Sequence, residues 1–285
     1  MLFNNPANAD TPRPADWRAF FNGIGREQFI VEVARKAGQA ILELYNRPSI
    51  GHWEKDDGSP VSEADHASAA IIHRALSSTG IPVICEEGDM FDVNGARMYW
   101  LVDPLDGTKE FLARNGEFTV NIALVCNGEP VVGVIAIPVT DEVYLAVKGE
   151  GARKIAHDAS TTIYNSRRSS TLIAAMSRSV CSPEASANLS TMGVAGRVHC
   201  GSAIKFCRVA EGTADLYLRI GRTMEWDTAA GQILLEEAGC RVLVLSSHER
   251  LEYGKNGFEN PDFIALRADV ALPSVFPPHA AVENS

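Results

Sequence analysis

The stretch YWLVDPLDGTKE (residues 99–110) places two aspartates directly after an apolar run, with a proline between them and Gly-Thr behind them. The apolar residues indicate a buried strand. Because Pro104 cannot donate a hydrogen bond to a β-ladder, we expect the strand to end at Asp103. Asp103 and Asp106 then lie on one turn, from which both carboxylates can converge on a shared point.

This turn offers oxygen ligands for a divalent cation next to a site for an anion. Mg²⁺ prefers hard oxygen ligands in an octahedron, and the Leu105 carbonyl is available beside the two aspartates. Gly107 and Thr108 would open a helix, and N–H groups at a helix N-terminus bind phosphate. The alternative is an Asp-Gly turn with a helix cap, which a single DGT leaves open.

Further acidic residues stand where a predicted strand ends or a predicted helix begins. Glu86 and Glu87 follow the short apolar strand IPVIC, Asp65 lies in the capping sequence SEAD, and Asp227 opens an Ala-rich helix. Each alone is equally a solvated strand end or a helix cap. If these acidic residues meet Asp103 and Asp106 in one cleft, the carboxylates repel one another. Bound cations, more than one of them, are then required to neutralise the repulsion. The seven histidines offer no ligand pair by spacing, so a zinc site is not expected.

The bulk composition is that of an ordinary globular protein of 285 residues, with 46% apolar and 22% charged residues. A net charge of −10 repels polyanions, so we expect no nucleic-acid partner, whereas a small anionic substrate is compatible with a local basic pocket or bound metal. No run approaches the roughly 20 apolar residues of a membrane span, and the N-terminus lacks the features of a secretion signal. Six cysteines without a CxxC pair predict a reduced, cytoplasmic setting.

Hydrophobic periodicity divides the chain into two unlike halves between terminal tails. The predicted units are a loose tail (1–26), an α+β domain with most metal ligands (27–155), an α/β domain that completes the site (156–275) and a second tail (276–285). The first domain is predicted to hold two helices and an antiparallel meander of strands, because its apolar runs follow one another with short turns. In the second domain, helices near 183–192, 203–212 and 227–238 alternate with short strands.

Three motifs in this order make the chain similar to the inositol monophosphatase superfamily of Mg²⁺-dependent, lithium-sensitive phosphatases. The family patterns are an acidic pair after a strand, WhhDPhDGT (h, apolar) and WDxAAG. Here they are EE (86–87), WLVDPLDGT (100–108) and WDTAAG (226–231). The resemblance extends from about residue 27 to 267. It implies an α/β (α+β) fold, a layered αβαβα sandwich of the inositol monophosphatase and fructose-1,6-bisphosphatase type, with the active site between the halves.

The resemblance also implies the metal ligands and the cofactor. Glu86, Asp103 and the Leu105 carbonyl would hold one Mg²⁺, and Asp103, Asp106 and Asp227 a second. A third, weaker ion has room beside Glu86, and Li⁺ would inhibit.

The same resemblance assigns roles to the residues around the metals. Thr108, backed by Asp65, would orient and help deprotonate the nucleophilic water. The N–H groups of Gly107 and Thr108 would bind the departing phosphate, and Asp227 would also face the substrate. Glu87 would support the metal ligands without binding an ion.

Within the superfamily, the stretches 106–125 and 201–221 are most similar to CysQ-type 3′(2′),5′-bisphosphate nucleotidases. The implied substrate is 3′-phosphoadenosine 5′-phosphate, a by-product of sulfur assimilation, which is converted to AMP and phosphate. Arg219 stands where inositol monophosphatases usually carry an acid, and Lys205 where they tend to have an uncharged residue. A guanidinium and an ammonium suit a second phosphate, which they would hold together with Ser202.

Two alternatives remain open. An inositol or related sugar monophosphatase is favoured if Lys205 and Arg219 point away from the cleft. A non-catalytic nucleotide or metal sensor is the other, although Asp65 and Thr108 argue against it because a binder has no need to activate water. The chain is expected to be a monomer or a homodimer, and peripheral association with the cytoplasmic face of the inner membrane, known for bacterial relatives, is neither indicated nor excluded.

Overall fold

The computed structural model describes residues 17–21, 26–55, 58–88, 96–157, 159–166, 171–178 and 183–273. The α-helices are α1 (Trp17–Phe21), α2 (Arg26–Tyr45), α3 (Glu63–Ser77), α4 (Thr108–Leu112), α5 (Pro183–Thr191), α6 (Ile204–Ala210) and α7 (Glu225–Glu237). The strands are β1 (His52–Glu54), β2 (Pro60–Ser62), β3 (Val83–Cys85), β4 (Met98–Asp106), β5 (Thr119–Cys126), β6 (Glu129–Ile137), β7 (Glu142–Val147), β8 (Gly151–Ala156), β9 (Ala159–Ile163), β10 (Leu172–Met176), β11 (Val194–His199), β12 (Leu216–Arg219), β13 (Cys240–Val244) and β14 (Phe263–Arg267).

The first half is built on a seven-stranded sheet in which β3 to β9 follow chain order. Strands β4 to β9 form an antiparallel meander, and β3 joins β4 in parallel. The short turns predict the part of this meander from β5 to β7, whereas β8 and β9 were not predicted. The sheet continues through β9, past the boundary predicted between residues 155 and 156. Four of the five β9 residues are exposed and three of these are polar, so the sequence does not indicate a strand.

Strand β4 does not end at Asp103, and that expectation is wrong. It runs on to Asp106 through a register shift, with Asp103 opposite Asn121 and Asp106 opposite Thr119. The extra residue is a β-bulge, a place where a sheet tolerates proline, and Pro104 lies within it. In a regular strand, residues three apart point to opposite faces. The inserted residue offsets that alternation and lets both carboxylates lie on one side.

The second half is built on a five-stranded sheet with the order β11-β10-β12-β14-β13. Strands β10, β11 and β12 are parallel, and β14 runs antiparallel to both β12 and β13. The predicted alternation of helices and strands is confirmed. Strands β11 and β14 and the hairpin β1–β2 were not predicted.

The helices and the two sheets stack as the αβαβα sandwich that the resemblance implies. Helices α2 and α3 cover the outer face of the seven-stranded sheet, α6 and α7 lie between the sheets, and α5 covers the second sheet. The core between the sheets combines residues of both halves, such as Leu101, Ile233 and Phe263. Helix α7 packs closely on β6, because a Cβ at Gly133 would lie 2.4 Å from Ile233.

The two predicted tails are described only in small part. Trp17–Phe21 is helical, and Phe20 packs edge-on against Trp100 with the ring centroids 6.4 Å apart. Residues 276–285 lie outside the described residues. Among the helices that the structure describes, none is long and apolar enough to cross a membrane.

Candidate functional site

Glu86 and Asp103 lie at neighbouring positions along the parallel strands β3 and β4. Cys85 lies opposite Val102, and the Glu86 N–H donates to the Val102 carbonyl at 3.1 Å. The next residue along each strand is a carboxylate, Glu86 on one and Asp103 on the other. The parallel pairing therefore brings Glu86 and Asp103 side by side, as the sequence predicts.

Asp227 reaches the same point from the N-terminus of α7. Its Oδ2 accepts the Met224 N–H at 2.8 Å, so it also caps its own helix. The alternative prediction, an N-cap aspartate, is wrong in position, because Met224 is the N-cap residue and Asp227 lies at the third helical position. Glu86, Asp103 and Asp227 each offer a carboxylate oxygen within 4.8 Å of the other two.

Burial and mutual repulsion change the protonation of this cluster. Burial, with the charges of Glu86, Asp106 and Asp227, raises the pKa of Asp103 well above its usual range. Burial is also the main cause that raises the pKa of Asp106 to about 6 and that of Asp227 to about 8. The cluster thus has a strong affinity for positive charge, whether protons or metal ions.

The donor set fits Mg²⁺. Three buried or half-buried carboxylates, those of Glu86, Asp103 and Asp227, meet at one point. The Asp106 carboxylate is not part of this group, but its charge raises the pKa of Asp103 and of Asp227. The Leu105 N–H donates to Asp103 Oδ1 at 3.1 Å, which fixes the turn of the bulge. Carboxylate oxygens are hard ligands of the kind that Mg²⁺ takes in proteins.

Lys55, in the β1–β2 hairpin, contacts the cluster and was missed by the sequence analysis. Its Nζ donates to Glu86 Oε1 at 2.8 Å and to Glu87 Oε1 at 2.5 Å. Burial would lower the pKa of Lys55, but the two glutamates raise it above its usual value. Burial raises the pKa of Glu87 to about 7 even with Lys55 beside it. A lysine in a polar turn is ordinarily solvated, so its sequence gives no sign of this contact.

Thr108 and Asp65 lie in hydrogen-bond contact at the edge of the cluster. Thr108 Oγ1 donates to Asp65 Oδ1 at 3.1 Å and lies 3.5 Å from the Leu105 carbonyl. Asp65 is 2% exposed, and its Oδ2 accepts the N–H of Ser62 at 2.8 Å and the Ser62 hydroxyl at 2.7 Å. The capping box thus orients Asp65 toward Thr108. Burial raises the pKa of Asp65, against the hydrogen bonds that lower it.

Gly107 has to be glycine, because its φ is +92° and a Cβ would lie 3.2 Å from both Ser202 Cβ and the Glu117 carbonyl. It precedes the first residue of α4, so the predicted helix start is confirmed. The turn that carries Ser202 therefore lies directly against the Gly107 turn.

Ser202, Lys205 and Arg219 lie beside the acidic cluster. Ser202 Oγ is buried and has no hydrogen-bond partner among the described residues. Lys205 is 6% exposed, and its Nζ donates to the Ser202 carbonyl at 2.6 Å. Burial lowers the pKa of Lys205, and the charge of Asp106 offsets this shift only in part. Arg219 Nη2 donates to the Arg222 carbonyl at 2.7 Å, and the Arg219 charge lowers the pKa of Asp227. Both cations thus act electrostatically on the cluster.

The chain matches one family model and several known proteins over most of its length. Residues 26–268 match the model of the inositol monophosphatase family. A 3′(2′),5′-bisphosphate nucleotidase CysQ of Salmonella typhimurium is 39% identical over 240 residues, 82% of this chain and 96% of that protein. The crystal structure of CysQ from Bacteroides thetaiotaomicron matches with a TM-score of 0.79 and 39% identity, over 87% of this chain and 99% of the other. An inositol monophosphatase from Anabaena matches with a TM-score of 0.68 and 27% identity, over 87% and 92% of the two chains.

Proposed function

The chain belongs to the inositol monophosphatase family, and from that premise we propose that it is a Mg²⁺-dependent 3′(2′),5′-bisphosphate nucleotidase. Its substrate is 3′-phosphoadenosine 5′-phosphate, and its products are AMP and inorganic phosphate. The curated relatives named as CysQ nucleotidases, matched over most of their length, support this choice.

One observation carries the choice of substrate: Lys205 and Arg219 lie beside the acidic cluster, and their charges act on Asp106 and Asp227. A substrate with a single phosphate on a polyol has no second anion for these cations. Ammonium and guanidinium groups bind phosphate well and read hydroxyls poorly. A nucleotide with a second phosphate satisfies both them and the Ser202 hydroxyl.

Glu86, Asp103, Asp106, Asp227 and the Leu105 carbonyl would hold two Mg²⁺ ions, with room for a third near Glu86. When bound, Mg²⁺ supplies charge neutralisation for the phosphate and for the charge that develops on it. Li⁺ inhibition follows from the family's chemistry and belongs to the proposal.

Thr108 and Asp65 supply the proton path. Because Thr108 donates its hydroxyl hydrogen to Asp65, its oxygen lone pairs are available to accept a hydrogen bond from water. As that water attacks phosphorus, its proton passes to Thr108 Oγ1 and the threonine proton passes to Asp65. Burial favours this role of Asp65, since it raises the carboxyl pKa above its usual value and so makes the carboxylate a better proton acceptor.

The N–H groups of Gly107 and Thr108 bind the oxygens of the 3′-phosphate at the start of α4. Ser202, Lys205 and Arg219 bind the 5′-phosphate. The bond between phosphorus and the ribose 3′ oxygen then breaks. That oxygen takes a proton from solvent water and leaves as the 3′-hydroxyl of AMP, while the attacking water's oxygen stays on the released phosphate.

The test is phosphate release from 3′-phosphoadenosine 5′-phosphate and from inositol 1-phosphate, each with Mg²⁺ and with EDTA. We expect turnover of the nucleotide that requires Mg²⁺ and that Asp103→Asn abolishes. A preference for the inositol ester would overturn the proposal in favour of a sugar monophosphatase. Nucleotide binding without turnover would instead indicate a non-catalytic nucleotide sensor.

A further inference from the structure

Glu117 joins three segments where the two halves of the chain meet. It lies between α4 and β5, and its Oε2 accepts the Gly201 N–H at 2.9 Å. Arg178, just after β10, donates to both Glu117 oxygens, with its Nε 2.8 Å from Oε2. Arg178 Nη2 also donates to the His199 carbonyl at 3.1 Å. One carboxylate thus holds the end of β10 and the turn after β11 against the first half.

The Gly201–Ser202 turn is held with little freedom. A Cβ on Gly201 would lie 2.6 Å from the Glu117 carbonyl, and a Cβ on Gly107 would lie 3.2 Å from Ser202 Cβ. Ser202 has a φ of +44°, a conformation that a non-glycine residue adopts only where its surroundings hold it. The Glu117 carboxylate supplies one such restraint, because it binds the N–H of the residue before Ser202.

This turn determines where two substrate-binding groups lie. Ser202 Oγ is buried without a partner among the described residues, and Lys205 Nζ binds the Ser202 carbonyl at 2.6 Å. A shift of the turn would therefore move both groups relative to the Gly107 turn. Small displacements of positioned groups have large effects on binding and rate.

We propose that Glu117, held by Arg178, is a positioning residue that sets Ser202 and Lys205 for the second phosphate of the substrate and so selects bisphosphates over monophosphates. The inference rests on the proposed nucleotidase function. The side chains of Glu117 and Arg178 are 20% and 50% exposed, so their ion pair contributes little to stability. Its main effect is on geometry.

The variants are Glu117→Gln, which loses the charge that fixes Arg178, and Arg178→Lys, which keeps a charge but loses the two-pronged contact. Glu236→Gln is the matched control. Glu236 forms a comparable pair with Arg250, with Nε–Oε1 and Nη2–Oε2 distances of 2.7 and 2.8 Å, at the far end of α7. The substrates are 3′-phosphoadenosine 5′-phosphate and 3′-AMP, which share the cleaved ester and differ in the 5′-phosphate. Calorimetry measures the binding of AMP to each variant.

We expect Glu117→Gln to raise KM for the bisphosphate about tenfold and to weaken AMP binding to the same degree, the effect of one impaired charge-assisted hydrogen bond. Its kcat/KM for 3′-AMP stays within about twofold, a change near 0.4 kcal/mol. For Arg178→Lys we expect a KM for the bisphosphate and an AMP affinity between those of wild type and Glu117→Gln. Glu236→Gln should leave the kinetic constants for both substrates unchanged.

Equal losses on both substrates, or no change on either, would assign Glu117 a purely structural role and overturn the inference. Wild-type protein that turns over neither substrate would instead overturn the nucleotidase function. In that event AMP binding still decides the role of Glu117. Equal AMP affinity in wild type and Glu117→Gln, or no AMP binding at all, overturns it.

Discussion

Replacing Asp103 with asparagine should stabilise the protein without metal and weaken its binding of Mg²⁺. Asp103 is 1% exposed, and its pKa is raised by burial and by the charges of Glu86, Asp106 and Asp227. Asparagine has nearly the same shape, and its amide oxygen can still accept the Leu105 N–H. The substitution therefore removes a buried, repelled charge and keeps the hydrogen bond.

The neighbouring Asp106 gives the scale of the effect. Its pKa is about 6 against an ordinary value of 3.8, about two units. One unit corresponds to 1.36 kcal/mol, so repulsion and burial cost about 3 kcal/mol at a site like this. The buried amide of asparagine has its own desolvation cost, so we expect a net gain of about 2 kcal/mol. For a chain of this size that is an increase in Tm of roughly 4–8 °C.

The gain should depend on pH. A carboxyl whose pKa is higher in the folded than in the unfolded protein adds stability below the unfolded value and loses it as the pH rises through the folded value. Because the pKa of Asp106 is about 6 and that of Asp227 about 8, the metal-free wild type should lose stability as the pH rises from about 4 to 8. The Asp103→Asn variant should lose less stability over this pH range, and the Tm values of the two proteins should converge near pH 4.

The assay is thermal unfolding across this pH range, in EDTA and in excess Mg²⁺. Mg²⁺ should raise the Tm of wild type and have little effect on Asp103→Asn. The matched control is Asp215→Asn, because Asp215 is equally buried but paired with Arg267 and bound by the Ile173 N–H at 2.7 Å. That variant should lose about 3–5 kcal/mol. A lower Tm for Asp103→Asn in EDTA would refute the account of the cluster.

Three further predictions test single contacts. Thr108→Ala should lower kcat by about 10²–10⁴-fold while Thr108→Ser retains much of it, because serine can donate to Asp65; steady-state kinetics separates them. Gly107→Ala should cost about 1–3 kcal/mol and impair activity, since φ is +92°; unfolding in urea measures it, and an unaffected variant contradicts the strain. Lys55→Gln should tighten Mg²⁺ binding about two- to tenfold in calorimetry by releasing Glu86, and weaker binding would show that Lys55 assists the ion.

Much of the fold and the acidic cluster could be predicted from the sequence because their signals are local or follow from parallel pairing. Long apolar runs predict the meander, and the capping sequence at Ser62 is confirmed by its hydrogen bonds. The bulge at Pro104 could not be predicted, because a proline in a strand indicates an end and a bulge equally. The edge strand β9 could not be predicted, because four of its five residues are exposed and it lacks the apolar pattern of a buried strand.

The missed contacts of the site are long-range ion pairs. Lys55 lies 31 residues from Glu86, and Arg178 lies 61 residues from Glu117. Charged residues in turns are usually solvated, and no spacing rule connects two such turns. Only the fold shows that these cations meet carboxylates at the site. The positions of Lys205 and Arg219 were inferred through the resemblance, and the structure places both near the cluster.

The shared core between the sheets has a consequence for how the chain can be divided. Leu101 of the first half and Ile233 and Phe263 of the second belong to one apolar cluster, and α7 lies close against β6 at Gly133. A fragment that stops after β9 would leave one face of its sheet bare to water and would lack Asp227. We therefore expect the two halves to unfold together in one transition, and a truncated chain to aggregate before it could bind an ion.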